Sequence, residues 1–295
     1  MELRQLEYFM MVAKELHFSR AAEKLNIAQP TLSQQIKSLE NQVGVLLFDR
    51  IGKRTALTEA GKILLQHSQR VFFEIDQAQA ALRDLSGLQR GTLTVGSLLT
   101  CTSYLLPPAI MNFKQLYPNI ELSVVGLSTE DISNGIFQNE LDVGVTFLPI
   151  VEDELESIPL FSEELSVAAP LTHPLADKKE MSMKELEDQP IVLLPKSFHL
   201  RKLIDRYYEK QQIKLNIMLE MTTIESLIEM VTKGIGITIL PTPYLNYLQN
   251  ETFATLRLTD PIPKRNIGFV YRKDKFMCNA TSSFMSEVIE ASKHM

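Results

Sequence analysis

The 295-residue chain holds only two cysteines, Cys101 and Cys278, too few for a disulfide framework. No apolar run approaches the roughly 20 residues that a membrane-spanning helix needs. The opening MELRQLEYFM is charged and amphipathic, unlike a signal peptide, so a cytoplasmic location is the default expectation. Enzyme signatures are missing too. There is no G-x-S-x-G elbow, no P-loop and no H-E-x-x-H, and the five histidines are scattered. Gly234-Ile235-Gly236 lacks the third glycine and the preceding strand of a dinucleotide fingerprint. No catalytic residue, metal or cofactor is therefore expected. Basic charge is scarce overall, with a net charge of −6, but it is unevenly spread. Through residue 90 there are 12 Lys and Arg against 10 Asp and Glu; beyond it, 18 stand against 26. A faintly basic head on an acidic body fits a DNA-binding domain joined to something else, with phosphate contacts placed locally. The apolar content of 45% is that of a globular protein, and the length predicts about two domains.

Residues 17–41, HFSRAAEKLNIAQPTLSQQIKSLEN, read as two short helices joined by a tight turn. Ser19 is placed to cap the first helix, and Asn26 suits the left-handed turn that ends it. Pro30 suits the start of the second helix, where a missing N–H costs nothing. Leu32, Ile36 and Leu39 recur at helical spacing and face a core, while Thr31, Ser33, Gln34 and Lys37 point away. Gln can bond base edges, Ser and Thr can bond bases or phosphates, and Lys can reach phosphate. A helix lying in a DNA major groove needs such a face, although a solvated surface helix would also be polar outside. A helix over residues 3–14, with Leu6, Phe9, Met10 and Ala13 as its stripe, should pack behind the pair, and Leu16 and Phe18 should continue the burial. Residues 47–50 and 55–57 read as two strands around Gly52-Lys53, forming a wing. Its Arg50, Lys53 and Arg54 would reach phosphates or the minor groove. The expected DNA-contacting set is Ser19, Arg20, Gln29, Pro30, Thr31, Ser33, Gln34 and Lys37, with Arg50, Lys53 and Arg54 from the wing.

Thr58 should cap a helix of about 27 residues, in which the early Gly61 is tolerable. Leu64, Ser68, Val71, Ile75, Ala78, Leu82 and Leu85 alternate steps of four and three, a heptad seam. Pairing with a second copy is the economical way to bury it; packing on its own domain is the alternative. A dimer suits DNA, because paired helices read half-sites about one turn apart.

After Gly91 strands and helices alternate. Strands are expected at residues 92–96, 120–126, 141–147, 166–169, 191–194, 216–221, 236–240 and 266–271. Helices are expected at 105–116, 130–138, 183–186, 200–211, 224–233 and 282–292. This alternation indicates a parallel α/β sheet. The pattern divides into two lobes, with a ligand cleft where strands end and helices begin.

The motifs LRQLEYFMMVAKELHFSRAAEKLNIAQPTLSQQIKSLENQVGVLLFDR, LTEAG, GTLTVG, LLP, FKQLYPNIEL, LDVGV, HPLA and GIGITILP together resemble the LysR-type bacterial transcription regulators. The resemblance covers essentially the whole chain and is most specific in its first third. It implies a winged helix-turn-helix over residues 1–58 and a dimerising linker helix over 59–90. It also implies an effector-binding domain over 91–295, similar to type 2 periplasmic-binding proteins. Lobe 1 would take about 91–160 and 267–295, and lobe 2 about 161–266. The partners implied are double-stranded promoter DNA, a small-molecule effector and further copies of the chain in a homotetramer built as a dimer of dimers. RNA polymerase is admitted as a further partner.

In the cleft, helix N-termini and their hydroxyls favour a small carboxylate or similar anion. Thr100, Ser103, Ser128 and Thr222 would donate hydrogen bonds, and Ser97, Thr102 and Ser197 lie at the same strand-to-helix junctions. Phe147 would form an apolar wall, and His199 or Arg201 would add positive charge, although Arg201 is otherwise expected in solvent. Each hydroxyl also has the ordinary role of a helix cap. Two rival classes remain: an enzyme on an α/β body, which lacks a catalytic motif, and a solute-binding protein, which the head and the missing signal peptide oppose. Thiol-based redox regulation would need an activated cysteine, and no basic cluster stands beside Cys101.

Overall fold

The computed structural model describes residues 1–51, 54–85, 91–248, 251–293 and 295, without the side chains of Arg50, Ile51, Arg54 and Arg83. The chain divides into two compact units, Met1–Leu82 and Arg83–Met295. The first holds α1 (Leu3–Glu15), α2 (Phe18–Lys24), α3 (Gln29–Val43), β1 (Phe48–Ile51) and β2 (Arg54–Leu57), followed by α4 (Glu59–Leu85), which runs across the division.

Its core is the one that the apolar spacing dictates. Phe9 and Val12 of α1, Ala21 of α2, and Leu32, Ile36 and Leu39 of α3 are fully buried together. Each large side chain removed from water contributes about 1.5–3 kcal/mol. Asn26 takes the left-handed conformation at φ 53°, and Pro30 sits in the first turn of α3. Two local expectations differ. The cap of α2 is His17, whose side chain accepts from the Arg20 amide, so Ser19 lies inside the first turn. Leu16 closes α1 in a left-handed conformation and is exposed.

Glu40, near the end of α3, is buried and accepts from the Leu47 and Phe48 amides at 2.9 and 3.3 Å. It ties the start of the β1–β2 hairpin to α3. Thr58 caps α4, accepting from the Gly61 amide at 2.9 Å and donating to the Leu46 carbonyl at 2.8 Å. A Cβ on Gly61 would overlap the Leu47 carbonyl oxygen, so α4 can approach the hairpin only with glycine there. Gly61→Ala should therefore destabilise the head by about 1–3 kcal/mol in thermal unfolding. Unchanged stability would mean that this close approach is not part of the fold. Along α4, Ser68 is buried, whereas Val71, Leu82 and Leu85 are 39%, 66% and 87% exposed.

The second unit continues with β3 (Gly91–Leu98), α5 (Cys101–Tyr104), α6 (Leu106–Leu116), β4 (Ile120–Leu127), α7 (Thr129–Phe137), β5 (Val143–Leu148) and β6 (Leu155–Pro170). Then come β7 (Glu180–Ser182), a 3-10 turn (Met183–Leu186), β8 (Pro190–Leu193), α8 (His199–Lys210), β9 (Asn216–Glu220), α9 (Ile224–Thr232) and β10 (Thr238–Pro241). The last elements are α10 (Thr242–Leu248), β11 (Phe253–Thr259), β12 (Lys264–Arg272) and α11 (Asn279–Ser292). The strand order is β4-β3-β5-β12-β6-β11-β7, with β10 also on β6, and β8 pairs with β9. The sheet is mixed rather than all parallel. β3 pairs parallel with β4 and β5, but β12 runs antiparallel to both β5 and β6. Strand β6 is far longer than the expected 166–169. Its residues 155–164 pair with β12, and 165–170 pair with β10 and β11. It therefore passes from one lobe into the other. Closing helix α11 lies on α6, where Phe113 meets Phe284 edge-on at 5.5 Å. No helix among the described residues is long and apolar enough to cross a membrane.

Candidate functional site

On the first unit, the outer face of α3 carries Gln29, Pro30, Thr31, Gln34 and Lys37, all exposed, with Ser33 half-buried. Gln29 Nε2 donates to Ser33 Oγ at 2.9 Å, so these two side chains hold each other. Ser19 and Arg20 on α2 are also exposed. Arg20 is engaged at the end of α1, donating to the Glu15 carbonyl at 2.6 Å. Of the expected wing contacts, Lys53 and the side chains of Arg50 and Arg54 lie outside the described residues. The hairpin that carries them pairs Phe48 with Leu57 and Ile51 with Arg54.

The second unit contains a cavity of about 450 Å³. Its wall is made by the residues ending β3 and β4, the starts of α7 and α8, Phe147 of β5 and Arg265 of β12. Leu98, Leu99, Leu127, Leu194, Phe198, Leu200 and Ile224 make much of it apolar. Among the expected effector residues, Thr100, Ser128, Phe147, Ser197 and His199 line it. Ser97 does not, because its side chain is fully buried and its hydroxyl donates to the Leu98 carbonyl at 3.3 Å. Thr102 donates to the Leu99 carbonyl at 2.6 Å, and neither it nor Ser103 reaches the cavity wall. Thr222 is exposed one residue before the cap of α9, which is Thr223.

The positive charge also differs from expectation. Arg201 is 1% exposed and does not line the cavity. Its Nη1 donates to the Leu194 carbonyl and Glu220, and its Nε to Asp205, all within 2.8 Å. His199 stacks on Phe147 with ring centroids 5.6 Å apart. Desolvation, then Lys202 and Arg206, push its imidazole below the ordinary range, so at neutral pH it adds little charge. The cation in the wall is Arg265, which sequence reasoning missed. Its guanidinium carbon lies 4.2 Å from the Phe147 ring centroid. Nε donates to Glu163 Oε1, and Nη2 donates to Thr100 Oγ1 at 3.2 Å. The other Glu163 oxygen accepts from the Tyr104 hydroxyl at 2.5 Å. Glu163 and Arg265 face each other in register across β6 and β12. Thr129, at the start of α7, also lines the cavity, and its buried hydroxyl has no hydrogen-bond partner among the described residues. Ser128 caps α7, accepting from the Asp131 amide at 3.1 Å and donating to the Asp131 carboxylate at 2.6 Å.

Cys101 is buried, with its sulfur 3.5 Å from the Tyr104 hydroxyl. Desolvation, then the charge on Glu163, push its thiol up to about 12, the reverse of an activated thiolate. Cys278 Sγ lies 3.3 Å from Thr281 Oγ1. No cluster of three or more potential metal ligands occurs among the described residues.

A winged helix-turn-helix followed by a two-lobed α/β unit that encloses a cavity is the architecture of a DNA-binding regulator with a ligand-binding domain. Sequence profiles agree: "Bacterial regulatory helix-turn-helix protein, lysR family" matches residues 3–62, and "LysR substrate binding domain" matches 86–293. The chain belongs to the LysR family of transcriptional regulators. It is 34% identical to the HTH-type transcriptional regulator AlsR of Bacillus subtilis (strain 168), over 93% of this chain and 91% of AlsR. It is 33% identical to the regulator YybE of the same organism, over 98% of each chain. Among solved structures, a full-length OxyR variant from Pseudomonas aeruginosa matches 98% of each chain at 26% identity, with a TM-score of 0.75. The protein is thus a DNA-binding transcription regulator with an effector-binding domain, and not an enzyme.

Proposed function

We propose that the chain binds promoter DNA as a dimer paired along α4, two dimers forming a tetramer, and that a small organic acid in the cavity changes how the heads are spaced. The observation that carries the effector reading is the cavity wall itself. An apolar lining is joined there by the start of α7, which brings the Thr129 hydroxyl, without a partner among the described residues, and the carboxylates of Glu130 and Asp131, the latter held by Ser128, and by the buried cation Arg265. A helix N-terminus and a guanidinium both favour an anion, and the leucines and Phe147 favour an apolar body. Thr100, Ser128, Ser197 and His199 complete the proposed contact set. The effector acts only as far as it prefers one arrangement of the domains over the other.

On DNA, Gln29, Thr31, Ser33, Gln34 and Lys37 would face the major groove, with Ser19, Arg20 and Pro30 at its edge. Arg50, Lys53 and Arg54 would serve the backbone or the minor groove. RNA polymerase would be met at the promoter. A gel shift with the promoter region flanking the protein's own gene tests the reading. Gln34→Ala should lower discrimination between operator and scrambled DNA by about 1–3 kcal/mol, while leaving the salt dependence alone. Full discrimination in that variant would remove Gln34 from the base-reading set.

A further inference from the structure

We infer that Arg265 is the residue that recognises the effector's anionic group, and that Glu163 is an internal competitor against which the effector must bind. The inference rests on the effector reading above and names the ionic contact within it. Arg265 is 7% exposed, yet it forms part of the cavity wall. Of its five N–H donors, one goes to Glu163 and one to Thr100. Its Nη1 makes no hydrogen bond among the described residues. Both Glu163 oxygens are already engaged, by Arg265 and by Tyr104. The Phe147 ring beneath the guanidinium and the hydroxyl of Thr100 hold the fork in place. A carboxylate in the cavity would accept from the open edge of this fork by charge-assisted hydrogen bonds, which a neutral amide cannot match.

The competition follows from where the pair sits. Glu163 and Arg265 are register partners on β6 and β12, and Glu163 lies next to the point where β6, passing from one lobe into the other, changes neighbours. Every electrostatic gain that a ligand anion makes with Arg265 is offset by sharing the guanidinium with Glu163. Neutralising Glu163 should therefore tighten binding of an acid and leave its amide unaffected. Removing the guanidinium should do the opposite.

The test is calorimetry and thermal shift on the full-length protein with two isosteric pairs, benzoate with benzamide and butyrate with butyramide. Wild type should bind the acid at least tenfold more tightly than the amide. Arg265→Gln should erase that preference, and Glu163→Gln should enlarge it about tenfold. Arg265→Lys keeps the charge but loses the fork, so it should lower acid affinity several-fold with the amide unchanged. That variant decides the matter if Arg265→Gln does not fold. Equal binding of acid and amide by wild type, or an acid preference that stays as large as the wild type's in the arginine variants, overturns the inference while the cavity remains a ligand site. If none of the four probes binds wild type, the inference falls together with the organic-acid reading.

Discussion

Replacing Glu163 by alanine should destabilise the unit Arg83–Met295 by about 3–5 kcal/mol. The Glu163 side chain is wholly buried, and the Arg265 side chain beside it is 5% exposed. Deleting the carboxylate strands a guanidinium that cannot shed its proton, and it leaves the buried Tyr104 hydroxyl without its acceptor. The neighbouring residue is the control. The Glu164 side chain is 26% exposed and pairs with Arg257 and Lys264, which are 53% and 52% exposed. Solvent screens those pairs, so Glu164→Ala should cost about 0–1 kcal/mol. Urea unfolding of both variants, followed by circular dichroism, should separate them widely. Similar small losses would show that the pair at the lobe crossing is not held as the structure has it.

The second large effect concerns α4. Val71 and Leu82 are exposed although they fall on a heptad seam, and a folded chain seldom leaves such a stripe open without a partner. A carboxylate on the seam would have to be buried, unpaired, in the proposed dimer. The double variant Val71→Asp with Leu82→Asp should therefore sediment as a monomer. A monomer holds one half-site at a time and loses the effective concentration that links the two heads. Its affinity for a two-site operator should fall by roughly 10²–10⁴-fold. Sedimentation alongside gel shifts reads both consequences. A variant that stays dimeric would place the pairing surface elsewhere.

What was legible in the sequence, and what was not, follows from the reach of each signal. The head was readable because Leu32, Ile36 and Leu39 keep one helical period, and because Pro30 and Asn26 mark a start and a stop by backbone chemistry alone. The length of α4 was readable for the same reason. Strand β6 was not. Its first ten residues are mostly exposed or half-buried, keep no regular alternation and carry charges, whereas its last six are all buried, so only the second part looks like a strand. The short elements α5 and β7, of four and three residues, are too small for a period to show.

At the cavity, the junctions between strands and helices could be located, but not the direction of each hydroxyl. Ser97 turns into the core, and Thr102 folds back on its own loop. Arg201 was expected in solvent because a charge on a helix normally goes there; its fate depends on Glu220, which arrives from strand β9. Arg265 and Glu163 were missed altogether. They are about a hundred residues apart, and only the antiparallel pairing of β6 with β12 makes them partners. No local pattern announces a contact of that kind.

The central claim is that two copies of the polar helix α3 are presented to one duplex at a fixed separation. Footprinting on the promoter region flanking the gene would define the two half-sites. Their spacing can then be increased by about half a helical turn, roughly 5 bp, and by about one full turn, roughly 10 bp. The half-turn insertion should weaken binding at least tenfold, because the second site then faces away from its head, and the full-turn insertion should recover part of that loss. Equal affinity for all three spacings would contradict the claim.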